Sequence, residues 1–293
     1  MYVVAFTAQG FGNKMFFLIG YIYEFKKLKK QYKDLNKLYI ATSVSRHEKD
    51  IDKEKIQNIF PRLKELEWLE FISWEKYDEL KTNAFRELVP EYIYKNEPFL
   101  DMKNFIKKEM KIDSKYDYLL DKYDTKNGIA VHIRLGDKFE INYENLKKHN
   151  RQLFVLMKPE YYVNNVLNML KEKEGPVYIF SDSNDFAECL IKPYLPNAKI
   201  VEEDFVETFY LLTKFKRAII SESTLSISAF YMNFKNPQVI ISAYRIDFDP
   251  KGKSTYKLVK NPYIDDETFI LEKSKDYIMT TKKDYDDVIK DCR

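Results

Sequence analysis

Four short segments carry side chains whose types and spacing could do chemistry together. An apolar, β-branched run at 129–133 ends in His132-Ile133-Arg134-Leu135-Gly136-Asp137. A run at 177–180 ends in Ser181-Asp182-Ser183, and one at 218–220 ends in Ser221-Glu222-Ser223-Thr224-Leu225-Ser226. The N-terminal run ends in Gly10-Phe11-Gly12-Asn13. An arginine fork, hydroxyls ahead of a helix and a glycine turn at another helix start are what a phosphate or pyrophosphate needs. They supply fixed donors and free N–H groups at the positive end of a helix dipole.

Each candidate has two readings. His132 and Arg134 stand two apart on one strand, so their side chains share a face and Ile133 takes the other. They then converge on one ligand group, or Arg134 pairs structurally with Asp137 and His132 is a satisfied core histidine. Ser223, Thr224 and Ser226 either cap the following helix or bind an anion, because both uses share one geometry. Asp182 is a cap or turn former, or a carboxylate that accepts hydrogen bonds from a base or ribose.

Other chemistries lack their residues. There is no Walker loop, and Met15 stands where a dinucleotide fingerprint needs its third glycine, which leaves an NAD-dependent enzyme without support. His47, His132 and His149 have no metal-ligand spacing. Asp247-Phe248-Asp249 has the form of a two-carboxylate metal motif but reads as a turn in an acidic segment, and no metal is expected. The two cysteines, Cys189 and Cys292, lie far apart, so the expectation is free thiols, a reducing compartment and a cytoplasmic protein.

The elements that must position these residues can be read from the pattern. The opening strand leads through the glycine loop into an amphipathic helix, with Met15, Leu18, Ile19, Ile22, Phe25 and Leu28 at spacings of three and four. Its lysine-rich tail, Lys26 to Lys33, is a solvated face at a helix C-terminus. A second strand is expected at Leu38–Ala41, whereas residues 50–125 show charged helical segments without clear order. From Gly128 onward, strands at 129–133, 177–180, 198–201, 218–220 and 239–241 alternate with helices near 159–171, 184–191, 205–215 and 225–232, and a final helix precedes Arg293. Such alternation argues for an α/β fold with parallel sheets covered on both faces. The expected domains are 1–125 and 126–293, with the second carrying the anion site.

Composition sets the limits. The chain has 293 residues, 45% hydrophobic and 32% charged, which excludes disordered, collagenous and coiled-coil classes. Forty-nine Lys and Arg face 46 Asp and Glu, a formal charge of +3, so no field of one sign recruits nucleic acid. Any anion site must be local. The 23 Tyr and 21 Phe, alongside abundant Lys, Ile and Asn, read as a bias of base composition. The N-terminus reads as a strand rather than a signal peptide, and no apolar stretch reaches the ~20 residues that span a bilayer, so no transmembrane segment is expected.

Gly10-Phe11-Gly12-Asn13-Lys14-Met15-Phe16 resembles the Gly-Leu-Gly-Asn-Gln-Met-Phe opening of α-1,2-fucosyltransferases, glycosyltransferase family 11, which are related to protein O-fucosyltransferases. Val131 to Asp137 resembles their His-x-Arg-Arg-Gly-Asp motif, and Tyr178 to Asp182 and Ser223 to Ser226 are similar to their two later motifs, in the same order. The resemblance covers residues 3 to about 245 and implies a GT-B-type architecture. In it, two Rossmann-like halves flank a donor cleft, and the C-terminal half holds GDP-fucose. It implies an inverting, metal-independent enzyme that passes fucose to a glycan acceptor. By position, Arg134 would hold the β-phosphate with His132 beside it, and Asp137 would orient that loop. Ser181 and Asp182 would lie near the nucleoside, and Ser223, Thr224 and Ser226 near the diphosphate. Gly12 and Asn13 would approach the phosphate or sugar from the N-terminal half. Gln9, Lys14, Leu135, Ile227 and Ser228 depart from the pattern, although protein O-fucosyltransferases also accept an apolar residue at the position of Leu135. These departures keep two alternatives open: another GDP-deoxyhexose as donor, or a non-catalytic nucleotide-binding module.

Overall fold

The structure, a computed structural model, describes residues 1–7, 10–42, 53–88, 96–247, 257–261, 264–265 and 267–292. The chain divides into two compact units, Met1–Tyr118 and Leu119–Arg293. The change of unit comes a few residues ahead of the boundary expected near 125. Leu119 is fully buried and Tyr123 packs edge-on against Tyr178, so this stretch takes its core from the second unit.

The first unit runs β1 (Tyr2–Thr7), α1 (Phe11–Gln31), β2 (Lys37–Thr42), α2 (Lys53–Ile59), β3 (Leu69–Ile72), α3 (Trp74–Lys81), β4 (Arg86–Leu88), α4 (Glu97–Asp101) and α5 (Lys103–Glu109). Its parallel sheet has the order β3-β2-β1-β4. β1 is central, which explains why Val3, Val4 and Ala5 are fully buried. The first half of α1 is buried almost all round, as expected of a helix covered on more than one side. Phe16 meets Phe99 of α4 at 4.9 Å and Phe25 stacks on Trp68 at 5.3 Å between ring centroids, so part of the aromatic excess fills this core. The sequence pattern misses β3 and β4: they have four and three residues, and two of the three in β4 are exposed.

The second unit runs α6 (Leu119–Lys122), β5 (Ile129–Ile133), α7 (Gly136–His149), α8 (Pro159–Glu172), β6 (Val177–Ser181), α9 (Asn184–Ile191), β7 (Lys199–Ile200), α10 (Phe205–Leu212), β8 (Arg217–Ile220), α11 (Thr224–Tyr231), β9 (Gln238–Ser242), β10 (Tyr244–Asp247), β11 (Lys257–Lys260), β12 (Ile270–Glu272) and α12 (Lys282–Asp291). Its six-stranded sheet has the order β12-β9-β8-β5-β6-β7 with every pairing parallel, and β10 and β11 form a separate antiparallel hairpin. Counted from β7 inward, this is the Rossmann order 3-2-1-4-5-6, and the first unit repeats its first four places. The chain therefore has the expected two Rossmann-like α/β halves. The order reverses beside β5, and ligands of such sheets bind beyond the carboxyl ends of the strands at that reversal.

Three cross-links, two polar and one covalent, hold the second unit. Arg217 is 7% exposed and donates from Nη1 to the Met169 and Lys173 carbonyls, and from Nη2 to those of Asn127 and Glu174. The Met169, Lys173 and Glu174 carbonyls lie at the C-terminal end of α8, where a cation suits the helix dipole. Asn142 of α7 accepts from the Leu153 and Phe154 amides and donates to the Phe154 carbonyl and the Tyr285 hydroxyl, which fixes the loop after α7 against α12. The sequence pattern misses α7 because Phe139, Asn142 and Leu146 are its only buried positions.

The third cross-link corrects an expectation. Cys189 of α9 and Cys292, just beyond α12, form a disulfide with a Cα–Cα distance of 5.5 Å. Packing of α12 beside α9 brings together residues 103 positions apart, which spacing along the sequence does not reveal. The argument from cysteine usage to a reducing compartment therefore falls. Among the described residues, no helix is long and apolar enough to cross a membrane. Closing a loop of this length removes about 4.7 kcal/mol of unfolded-state entropy in the chain-entropy account, and loss of a native disulfide typically costs ~2–5 kcal/mol. A Cys189→Ser/Cys292→Ser protein is expected to unfold at a Tm roughly 4 to 20 °C lower, at ~2–4 °C per kcal/mol for a unit of this size. The folded wild type should show no titratable thiol until reduced. Free thiols in the wild type, or an unchanged Tm in the variant, would exclude the pairing.

Candidate functional site

The residues singled out in the second unit meet at the carboxyl ends of β5, β6 and β8, with β5 in the middle. The turn from β5 into α7 is held from both sides. The Arg134 amide donates to Ser221 Oγ at the end of β8 (3.0 Å), and the Leu135 amide donates to Asp182 Oδ1 beyond β6 (2.9 Å). Gly136 comes next with a φ of +30°, where an L side chain is strained, and a Cβ there would fall on the Asp182 carboxylate. This glycine is thus required twice, by conformation and by close approach.

The Arg134 guanidinium lies between two carboxylates. Its Nη2 donates to Asp137 Oδ1 at 2.7 Å, and its Nη1 forms an ion pair with Asp182 Oδ2. The side chains of Arg134, Asp182 and Asp137 are 29%, 30% and 40% exposed, so the cluster is partly desolvated and keeps some access to solvent. Two of the five guanidinium N–H donors are used here, and the rest of the fork stays available. Asp182 spends one oxygen on the Leu135 amide and the other on Arg134, which makes it the support of the turn. Asp137, in the first turn of α7, also suits the positive end of that helix.

His132 is 4% exposed, and its Nδ1 lies 3.4 Å from Ser221 Oγ. Burial, then the charges of Arg134 and Lys138, push its pKa down to about 3, so the imidazole is neutral at physiological pH. The structural ion pair Arg134–Asp137 and the buried histidine both exist, and the histidine lies beside Arg134.

The hydroxyls divide. Ser181 Oγ accepts from the Ser183 amide (3.1 Å) and donates to the Ser183 carbonyl (3.3 Å), which shapes the turn after β6. Ser223 is the N-cap residue of α11 without a side-chain capping bond, so the first-turn amides are not closed off by it. Thr224 opens that helix, and Ser226, fully buried, donates to the Ser223 carbonyl at 3.2 Å. Gly12 and Asn13 lie in the first turn of α1, after the N-cap Gly10, at the carboxyl end of central β1 in the first unit.

Sequence reasoning gave no role to Ser221 or Glu222, although both stand in the segment that ends β8, and it missed Lys138. Ser221 holds the Arg134 amide. Lys138, one helical turn beyond Arg134, donates from Nζ to the Glu222 carbonyl at 3.2 Å. Glu222 is half-buried, and burial raises its carboxyl to about 7 against the pull of Lys138 and Arg245. Lys138 becomes legible only once a helix is known to start at Gly136, which places it in the first turn after Arg134. Among the described residues, no group of three or more His, Cys, Asp or Glu could hold a metal ion, and Phe248 and Asp249 lie outside those residues.

No protein-family model matches the chain, and no curated protein matches it either. Among solved structures it is similar to Escherichia coli ADP-heptose LPS heptosyltransferase II, with a TM-score of 0.48 and 9% identity over 100% of this chain and 98% of that one. It is similar to a family 9 glycosyl transferase from Veillonella parvula DSM 2008, with a TM-score of 0.49 and 9% identity over 99% and 95% of the two chains. It is also similar to the fucosyltransferase NodZ from Bradyrhizobium, with a TM-score of 0.48 and 14% identity over 89% and 99%. At such identities no residue role transfers.

The buried histidine gives a pH test. Its folded pKa of about 3 lies below the unfolded value of ~6.5, so between those values the unfolded chain takes up a proton that the folded one refuses. The stability His132 contributes therefore falls as pH drops below ~6.5, by up to ~1.4 kcal/mol per pH unit. Glu222 titrates in the opposite sense, but it does so in wild type and variant alike and drops out of their difference. The Tm advantage of wild type over His132→Gln should shrink by roughly 4–8 °C between pH 7 and pH 5. A pH-independent difference in thermal unfolding would show that the imidazole is not held neutral.

Proposed function

We propose that the chain is a nucleotide-sugar glycosyltransferase that moves L-fucose, or a closely related deoxyhexose, from its GDP carrier to a glycan hydroxyl with inversion. The observation that carries this reading is the Arg134 turn. A guanidinium aimed by two carboxylates stands at the sheet's reversal, held by Asp137 at the start of α7 and by Asp182 in the turn ahead of α9. The order of the four motifs along the chain supports it.

In this reading the acceptor oxygen forms a bond to the sugar C1 as the bond from C1 to the diphosphate oxygen breaks. The electron pair leaves with GDP, and the acceptor proton passes to a general base. Charge develops on the departing diphosphate, where Arg134 and the amides that open α11 are already oriented. One such preorganised donor is worth about 2.7–4 kcal/mol in comparable sites. His132, held neutral, donates or accepts a hydrogen bond without adding charge. Asp137 and Asp182 keep Arg134 in place, and Ser181, Ser223, Thr224 and Ser226 shape the turns around the nucleotide. Gly12 and Asn13 present the start of α1, a second helix N-terminus suited to a phosphate or sugar hydroxyl. Local cations and helix starts take the part a metal ion plays elsewhere.

Thermal unfolding with nucleotides, and nucleotide release from GDP-fucose, other GDP-sugars and UDP-sugars in the presence of chelator, test the reading. GDP at 100 times its Kd should stabilise the wild type by ~2.7 kcal/mol, roughly 5–11 °C, whereas UDP should not, and Arg134→Ala should lose both the shift and the turnover. Turnover of UDP-sugars alone, or an obligatory divalent metal, would refute it. GDP binding without any sugar transfer would reduce the protein to a nucleotide-binding module.

A further inference from the structure

The Arg134 turn has a second cation that the motif resemblance does not assign. Leu135 occupies the place of a second arginine, but its side chain is 3% exposed and belongs to the core cluster with Ile133 and Phe139. Position 135 therefore faces inward, and a charge there would be buried in the core. Lys138 instead reaches the segment after β8. Its charge acts on His132, Glu222 and Arg134, and its Nζ lies 3.2 Å from the Glu222 carbonyl and 5.0 Å from the centre of the Phe154 ring.

This ammonium is incompletely satisfied. It has three N–H donors, and one goes to the Glu222 carbonyl. Among the described residues, the other two meet no acceptor and no carboxylate lies within ion-pair distance. By contrast, Asp137 and Asp182 together neutralise Arg134. Burial and the neighbouring Arg134 lower the Lys138 pKa, and Glu222 and Asp137 oppose them. A partly desolvated cation kept beside a second cation, with spare donors, is costly unless an anion completes it.

We propose that Lys138 is the second phosphate-binding cation of this site, directing its two spare N–H donors to the diphosphate of the nucleotide-sugar donor, with the Glu222 carbonyl as the anchor that positions it. This rests on the donor reading above. The diphosphate is the right ligand class because it offers oxygens on two adjacent phosphorus atoms, enough to engage a guanidinium and an ammonium at once. A monophosphate offers one group and should use Lys138 less.

Calorimetric Kd values for GDP, GMP and guanosine, measured on the full chain as wild type, Lys138→Met and Lys138→Arg, test it. A hydrogen bond to a charged group corresponds to roughly a 10- to 100-fold change in affinity. Lys138→Met should weaken GDP by that factor, weaken GMP less and leave guanosine unchanged, whereas Lys138→Arg should keep most of the GDP affinity. If Lys138→Met fails to fold, Lys138→Gln, which keeps a neutral donor for the Glu222 carbonyl, makes the same comparison. GDP affinity unchanged in the neutral variant, or guanosine weakened as much as GDP, overturns the assignment of Lys138 while leaving the donor reading intact. A wild type that binds no GDP overturns both.

Discussion

The Asp182 carboxylate bridges β6 to the end of β5, and the site depends on it. One oxygen takes the Leu135 amide and the other takes the Arg134 guanidinium, so the same group fixes the backbone of the turn and aims its cation. Gly136 must lack a side chain for that carboxylate to come so close. Ser221 completes the arrangement from the other neighbouring strand. A parallel sheet in the Rossmann order makes this possible, because it sets the ends of β6 and β8 on either side of β5. The core beneath, with Ile129, Val131, Ile133 and Leu135 all buried, sets the register that brings the three strand ends level.

Electrostatics in this unit is local. A chain of net charge +3 has no long-range field to gather anions, so attraction has to come from a few oriented groups. Arg134 is compensated, Lys138 is not, His132 is kept neutral, and Glu222 sits near the middle of its titration at neutral pH. On the proposed reading, the anion that completes Lys138 is one whose charge is spread over several oxygens.

Much of the second unit is legible in the sequence. The runs that became β5, β6, β8 and β9 are short, β-branched and bounded by polar residues, and α9 matches its expected limits. The residues ending those runs are the ones that meet. The features that stay hidden have physical causes. α7 buries too few side chains to show a stripe, and β4 too few to alternate. The disulfide depends on the packing of α12 beside α9, and the roles of Ser221 and Lys138 depend on which strands lie next to β5. Spacing places Asp182 at the site, but only the register shows that both of its oxygens are used within the protein. His132 was open between core and ligand, and it lies in the core beside Arg134.

The central claim is that the β5–α7 turn, held by Asp182, presents Arg134 to a diphosphate. The most direct measurement is a crystal structure of the protein with GDP. It should show diphosphate oxygens within hydrogen-bond distance of Arg134 and the Leu135 amide still on Asp182. A nucleotide bound away from that turn, or a diphosphate contact made only after Asp182 has released the turn, would contradict the account.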